Sequence, residues 1–253
     1  MKLNETAKTT LATIATTCML LAAWSLATMP GALSPTVLPG PIDVFSALYG
    51  GLTGGQLWPH ILFTTQSAFS GLVIGAALGI VAGAVVVLVP VVEPFVVPIV
   101  VGLQSVPKIA VAPIIIAYLG FGMAPKVFTV ALLCFFPLFV AAVAGLRALD
   151  DPLVNLYRAV SASKLHVLLN ARIPAAAPYL FSAFQIAYVL SLLGCVVSEF
   201  IASSKGLGFV IKARSQDLDV STMFAAVIIL SAIGVIGTML IRSVQRRVVF
   251  WAV

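Results

Sequence analysis

Long apolar runs separated by short polar stretches dominate this chain. Runs at residues 11–29, 60–89, 127–146, 178–201 and 221–241 each approach or exceed the roughly 20 residues that cross a hydrocarbon core as a helix. A further run, 90–122, is apolar but broken by Pro94, Pro98, Pro107 and Pro113. The pattern predicts an all-α protein of about six spans with the third interrupted. Between the first two spans, residues 30–59 are rich in proline and glycine, which predicts a loop carrying a short interfacial helix at 43–49. A retained first span is favoured over a cleaved signal peptide, because the run is long and no clean small-x-small site precedes Pro30.

Composition agrees with the pattern. Hydrophobic residues make up 61% and charged residues 9%, against about 25% charged in soluble domains, and the mean hydropathy is +1.16. Such a chain cannot cover itself with polar surface, so it is a multi-pass membrane protein in a single domain, 1–253. The net charge of +6 raises nucleic-acid binding, but the basic residues sit at the ends of apolar runs. Lys2, Lys8, Arg147, Arg158, Lys164, Arg172, Arg242, Arg246 and Arg247 fall on one side of a six-span topology. Lys126, Lys205, Lys212 and Arg214 fall on the other. The richer side, with both termini, is expected to be cytoplasmic, and no nucleic acid is implied. Cys18, Cys134 and Cys195 lie inside apolar runs and predict neither a disulfide nor a metal site.

Four features carry candidate function. Gly71, Gly75, Gly79 and Gly83 form a small-residue groove on the second span, read either as a sliding or dimer interface or as static helix packing. Gln104, Ser105 and Lys108 lie in the interrupted third span and are substrate-path candidates, with a snorkelling Lys108 as the alternative. On the fifth span Gln185, Tyr188, Leu192, Cys195 and Glu199 share one face, predicted to point into the bundle or a cavity. Gln185, Tyr188 and Glu199 join the path candidates, unless Glu199 marks a solvated span end. The fourth feature is the polar segment 150–182. Asp151-Pro152 starts a helix, Leu153, Leu156, Tyr157 and Val160 repeat at helical spacing, and Ser161-Ala-Ser163 breaks it. A second short helix through Leu165, Leu168 and Leu169 is expected to end at Pro174 and Pro178. The polar stretch 203–220 reads as a loop.

Residues 158–185, RAVSASKLHVLLNARIPAAAPYLFSAFQ, resemble the EAA loop of ATP-binding-cassette importer permeases. Ser161-Ala162-Ser163 stands at the usual Gly-Ala-Ser position and Ile173-Pro174 to Pro178-Tyr179 at the proline position. Ser105-Val-Pro-Lys-Ile-Ala-Val-Ala-Pro113 with Gly120-Phe-Gly122, and Ser198-Glu-Phe with Lys205-Gly-Leu-Gly-Phe209, are similar to motifs of the nitrate/sulfonate/taurine-type subfamily. The chain departs from the family in having Asn155-Leu156-Tyr157 for Glu-Ala-Ala and Ser161 for glycine.

The resemblance implies a type I importer permease, with a core at 60–250 and a coupling loop at 150–178. It implies a homodimer in the bacterial inner membrane, served by a solute-binding protein outside and ABC ATPases in the cytosol. Arg158, Ser161, Ala162, Ser163, Lys164, Leu165, His166 and Leu168 would form the ATPase-coupling surface. The chain has no Gly-Lys dipeptide and hence no P-loop, so ATP and Mg belong to the partner and the chain itself is no enzyme. The implied cargo is a small solute, anionic (nitrate, sulfonate, taurine) or a heterocyclic vitamin precursor. The alternative is an ion-coupled secondary transporter, for which Glu93 and Glu199 are the available membrane carboxylates.

Overall fold

The computed structural model describes residues 5–29 and 34–252, with all their side chains except those of residues 5–10, Asp151, Val154, Arg158 and Ala252. Lys2 lies outside this range, as do the side chains of Lys8 and Arg158. In chain order the α-helices are α1 (Glu5–Ala27), α2 (Pro41–Thr53), α3 (Trp58–Leu88), α4 (Glu93–Gln104), α5 (Lys108–Leu119) and α6 (Ala124–Arg147). They continue with α7 (Asp151–Ala159), α8 (Lys164–Val167), α9 (Ile173–Ile201), α10 (Leu207–Gln216) and α11 (Val220–Val248). No strand occurs among the described residues. Proline opens many of these helices. Pro41, Pro59, Pro94 and Pro125 each occupy the first or second helical position, where the missing N–H has no intrahelical acceptor to lose.

The core is α3, α6 and α9, joined by small buried side chains such as Ala68, Ala76, Val130, Cys134, Ala183 and Ala187. The four glycines of α3 all face α6. A Cβ on Gly75 would lie 2.9 Å from the Cys134 Cβ and 3.0 Å from the Ala131 Cα, and one on Gly83 would lie 2.7 Å from the Ala142 Cβ. Backbone therefore approaches backbone, which is how membrane helices gain dispersion energy where lipid removes the hydrophobic drive. The groove is filled from within the chain, and so is not a face left open for a second copy. A bond from the Cys134 thiol to the Ala187 carbonyl, 3.2 Å, ties α6 to α9 across the same core.

The contacts also fix direction. Gly71 meets Val130, Gly79 meets Leu138 and Gly83 meets Ala142, so α3 and α6 run parallel. Two parallel neighbours cannot be joined by a tight turn, and residues 89–123 must travel back between them. They do so as α4 and α5, which bend by 95° at residues 105–107. Of the four prolines expected to break this run, Pro107 lies at the bend, whereas Pro94 opens α4 and Pro98 and Pro113 lie inside α4 and α5. Among the described residues four helical segments are long and apolar enough to cross a membrane, α3, α6, the continuous rod Lys164–Ile201 and α11, or five if the bent pair is one span, against about six expected. The apolar part of α1, Leu11–Ala27, is shorter. It leans on the bundle through Trp24, whose indole lies 6.3 Å from Phe224 and donates to the Pro39 carbonyl.

Two expectations are corrected. The second short helix does not end at Pro174: α8 runs through a π-helical turn, Leu168–Arg172, straight into α9. Pro174 can neither donate to residue 170 nor tolerate that carbonyl against its ring, and the wider π turn accommodates both demands. The second correction concerns 203–220. It is not a loop but contains α10, which packs Leu207 and Val210 against Ala226 and Ile229 of α11.

Candidate functional site

The bundle has two chemically different ends. At one, the start of α3, the start of α6, the end of α9 and α10 converge on Glu199. Its side chain is fully buried, so the alternative of a solvated span end is overturned. One carboxylate oxygen accepts from the Thr64 hydroxyl at 2.8 Å, the other from the Gly208 N–H at 2.7 Å. The Cys195 thiol adds a weaker donor at 3.4 Å. Thr64 in turn accepts from the Leu207 N–H at 2.8 Å, and the His60 Nδ1 from the Gly206 N–H at 3.0 Å. Three successive N–H groups at the start of α10 are thus capped by side chains of α3 and α9. An ordinary N-cap comes from the helix's own chain neighbours. Here the cap is tertiary.

Glycine is required at both ends of that turn. Gly206 has φ of 110°, and a Cβ there would fall on the Glu199 carboxylate. A Cβ on Gly208 would come within 2.9 Å of the same side chain. Lys126, counted as a loop cation from the sequence, is also fully buried, in the first turn of α6. Its ammonium donates to the Ala202 carbonyl at 2.5 Å, and Lys212 donates to Phe200 at 2.7 Å. Both cations cap the C-terminus of α9, the favourable end of its dipole for positive charge. Sequence reasoning singled out Glu199 and missed Thr64, His60, Lys126 and α10. The available signal was Gly206-Leu-Gly208, two glycines straddling a buried leucine.

At the other end lie the turn after α3 and residues 147–172. Arg147 closes α6 and pairs with Glu93 at 2.5 Å, tying α6 to the start of α4. The segment itself has a defined turn. Ser161 adopts φ of 52°, and the Ala162 N–H donates to the Tyr157 carbonyl at 3.0 Å. This is the six-to-one bond of a Schellman C-cap with serine at the left-handed position that usually takes glycine. Ser163 then caps α8, accepting from the His166 N–H at 3.2 Å, and His166 sits 6.2 Å from the Tyr157 ring. Leu156, Val160, Leu165 and Leu169 stay 59%, 66%, 63% and 53% exposed. Leu168 is half-buried.

The remaining path candidates divide. Gln104 and Ser105 are exposed at the break between α4 and α5. Lys108 bridges that break, donating to the Gln104 carbonyl at 2.8 Å with its ammonium 4.4 Å above the Phe136 ring. Gln185 and Tyr188 instead face α11. Gln185 donates to Gln245 at 2.7 Å and accepts from Arg242 at 3.1 Å, and Tyr188 donates to the Ile233 carbonyl at 2.8 Å. The polar stripe of α9 therefore points into the bundle and binds helices there. No cluster of metal-ligating side chains occurs among the described residues.

Comparison with known proteins places this architecture. Residues 75–250 match the family model described as binding-protein-dependent transport system inner membrane component. A putative aliphatic sulfonates transport permease protein of Bacillus subtilis is 28% identical, over 92% of this chain and 84% of its own. The riboflavin transport system permease protein of Chloroflexus aurantiacus is 30% identical, over 93% and 88%. Among solved structures, a chain of the MetNI methionine ABC transporter in an inward-facing conformation superposes with a TM-score of 0.60. It covers 78% of this chain and 94% of its own at 19% identity, a likeness of fold. On the family match over most of its length and these relatives, the chain belongs to the binding-protein-dependent inner membrane components, the permeases of ABC importers.

Proposed function

We propose that two copies of this chain form the membrane path of an ATP-driven importer in a bacterial inner membrane. Energy enters from separate cytoplasmic ATPases, which carry the ATP and Mg, through the segment Asp151–Val167 and the π turn after it. The observation that carries this reading is the exposed apolar set Leu156, Val160, Leu165 and Leu169 on a capped, well-defined turn. Four large apolar side chains held in water by a folded polar segment form a patch that a protein partner covers. The charge distribution supports placing that segment and both termini in the cytosol.

A solute-binding protein would deliver cargo at the opposite end, beside α10. Relatives named for aliphatic sulfonates and for riboflavin support a small anionic or heterocyclic solute. Of the path candidates, Gln104, Ser105 and Lys108 are the ones we assign to the solute route, since their polar groups border the break in the third span. Closure of the ATPases on ATP would shift the permease between inward- and outward-open states through the rigid α8–α9 rod.

The test is co-purification. Leu165→Glu is expected to abolish capture of the ATPase and ATP-driven uptake of a labelled alkanesulfonate or riboflavin, with the chain still inserted and monodisperse. Ser161→Pro is expected to do the same, because proline holds φ near −65° and cannot enter the left-handed turn. Full ATPase capture by both variants would overturn the reading.

A further inference from the structure

Between the coupling segment and the end of α3 lies a cavity of about 370 Å³, lined by Val87, Leu88, Pro90, Val167, Lys164 and Arg172. Just beyond the segment the chain is packed tightly, since a Cβ on Gly145 of α6 would stand 2.9 Å from the Cα of Ala176 in α9. The cavity's floor is apolar and its charged groups are cationic, and no acidic residue lines it among the described residues. Glu93, in the adjoining turn, is taken up by Arg147.

Neither the Lys164 nor the Arg172 side chain has an ion-pair or hydrogen-bond partner among the described residues. Arg172 is half-buried, and a guanidinium presents five N–H donors that need acceptors once water is partly excluded. Two cations over an apolar floor, where a span emerges from the hydrocarbon, match the chemistry of a phosphate ester attached to acyl chains.

We propose that this cavity binds a phosphate-bearing anion, held by Arg172 and Lys164, and that it wedges the coupling segment against α3. The anion is the headgroup of an anionic phospholipid or free inorganic phosphate. The inference does not depend on the ATPase reading, and its test contains no ATPase.

The full chain is reconstituted in nanodiscs of equimolar phosphatidylcholine and phosphatidylglycerol, and the lipids it retains on release are counted by native mass spectrometry. Wild type is expected to retain phosphatidylglycerol over phosphatidylcholine by about tenfold, the worth of one charge-assisted contact. Arg172→Gln and Lys164→Gln should each bring that preference toward parity. Arg172→Lys should lose part of it, keeping charge without the planar fork. Arg246→Gln removes equal charge outside the cavity and should leave the preference intact. A second arm titrates detergent-purified protein with inorganic phosphate. Arg172-dependent stabilisation there, without lipid selectivity, identifies free phosphate as the ligand and upholds the site. If neither arm responds to Arg172→Gln in protein that elutes as wild type does, or if Arg246→Gln responds equally, the site does not exist.

Discussion

The two ends of the bundle are finished to different degrees. Around Glu199 the N–H groups opening α10 and the Phe200 and Ala202 carbonyls at the end of α9 find side-chain partners inside the chain. Of the nearby buried groups only the Ser67 and Ser198 hydroxyls go without one among the described residues. Around Ser161 the backbone is equally well capped, yet leucines stand exposed and two cations lack acceptors. Satisfied polar groups under cover hold a structure together, whereas satisfied backbone beneath unsatisfied side chains presents a surface. The first end is a weld and the second a socket.

Mutation should separate weld from socket by the size and kind of damage. The largest effect is expected at Glu199→Ala, which strands Thr64 and the Gly208 N–H in a site closed to water. At about 1–3 kcal/mol for each orphaned buried group, the loss is about 3 kcal/mol, and amide exchange at Gly206–Gly208 should accelerate with it. Unchanged protection of those amides would mean that Glu199 does not hold α10. Gly75→Val forces a side chain into the α6 backbone and should lower stability by about 2 kcal/mol, within the range for overpacked cores. Denaturant titration of the purified chain checks it.

At the socket the signs differ. Ser161→Gly removes the penalty of a side chain in the left-handed region and should stabilise the α7–α8 turn by about 1 kcal/mol, seen as slower exchange at Ala162. The smallest effect is expected for Leu156→Ser, with stability within about 0.5 kcal/mol of wild type as at other surface positions, while affinity for the ATPase falls. A large stability loss there would show that Leu156 is packed within the permease.

Much of this contrast was already present along the chain. The helix start at Asp151-Pro152, a proline-interrupted third span and the inward stripe of α9 were read from local pattern, because each depends on neighbours within a turn or two, whereas the serine at a glycine position came from the family resemblance. What escaped was long-range. Residues 203–220 carry both signs of charge and two glycines, so their local preference is for loop. They become helical because Thr64 and Glu199, 143 and 9 residues from the N–H groups that they cap, supply the caps. Lys126 looked like a loop cation because a lysine after Ala-Pro is ordinarily solvated, and only the approach of the Ala202 carbonyl explains its burial. The glycine groove could have served another copy, and the parallel course of α6 shows that it serves this one.

By itself, then, the sequence determined the medium, the rough ends of most spans and the place of the polar interruption, though it expected about six spans where four helices and one bent pair are long and apolar enough among the described residues. These follow from transfer free energies and backbone sterics that act residue by residue. Only the tertiary structure decided which polar groups meet. That choice sets Glu199 as an internal cap, and leaves the Arg172 side chain without a partner among the described residues, because a hydrogen bond depends on ångström-scale geometry between segments far apart in the chain.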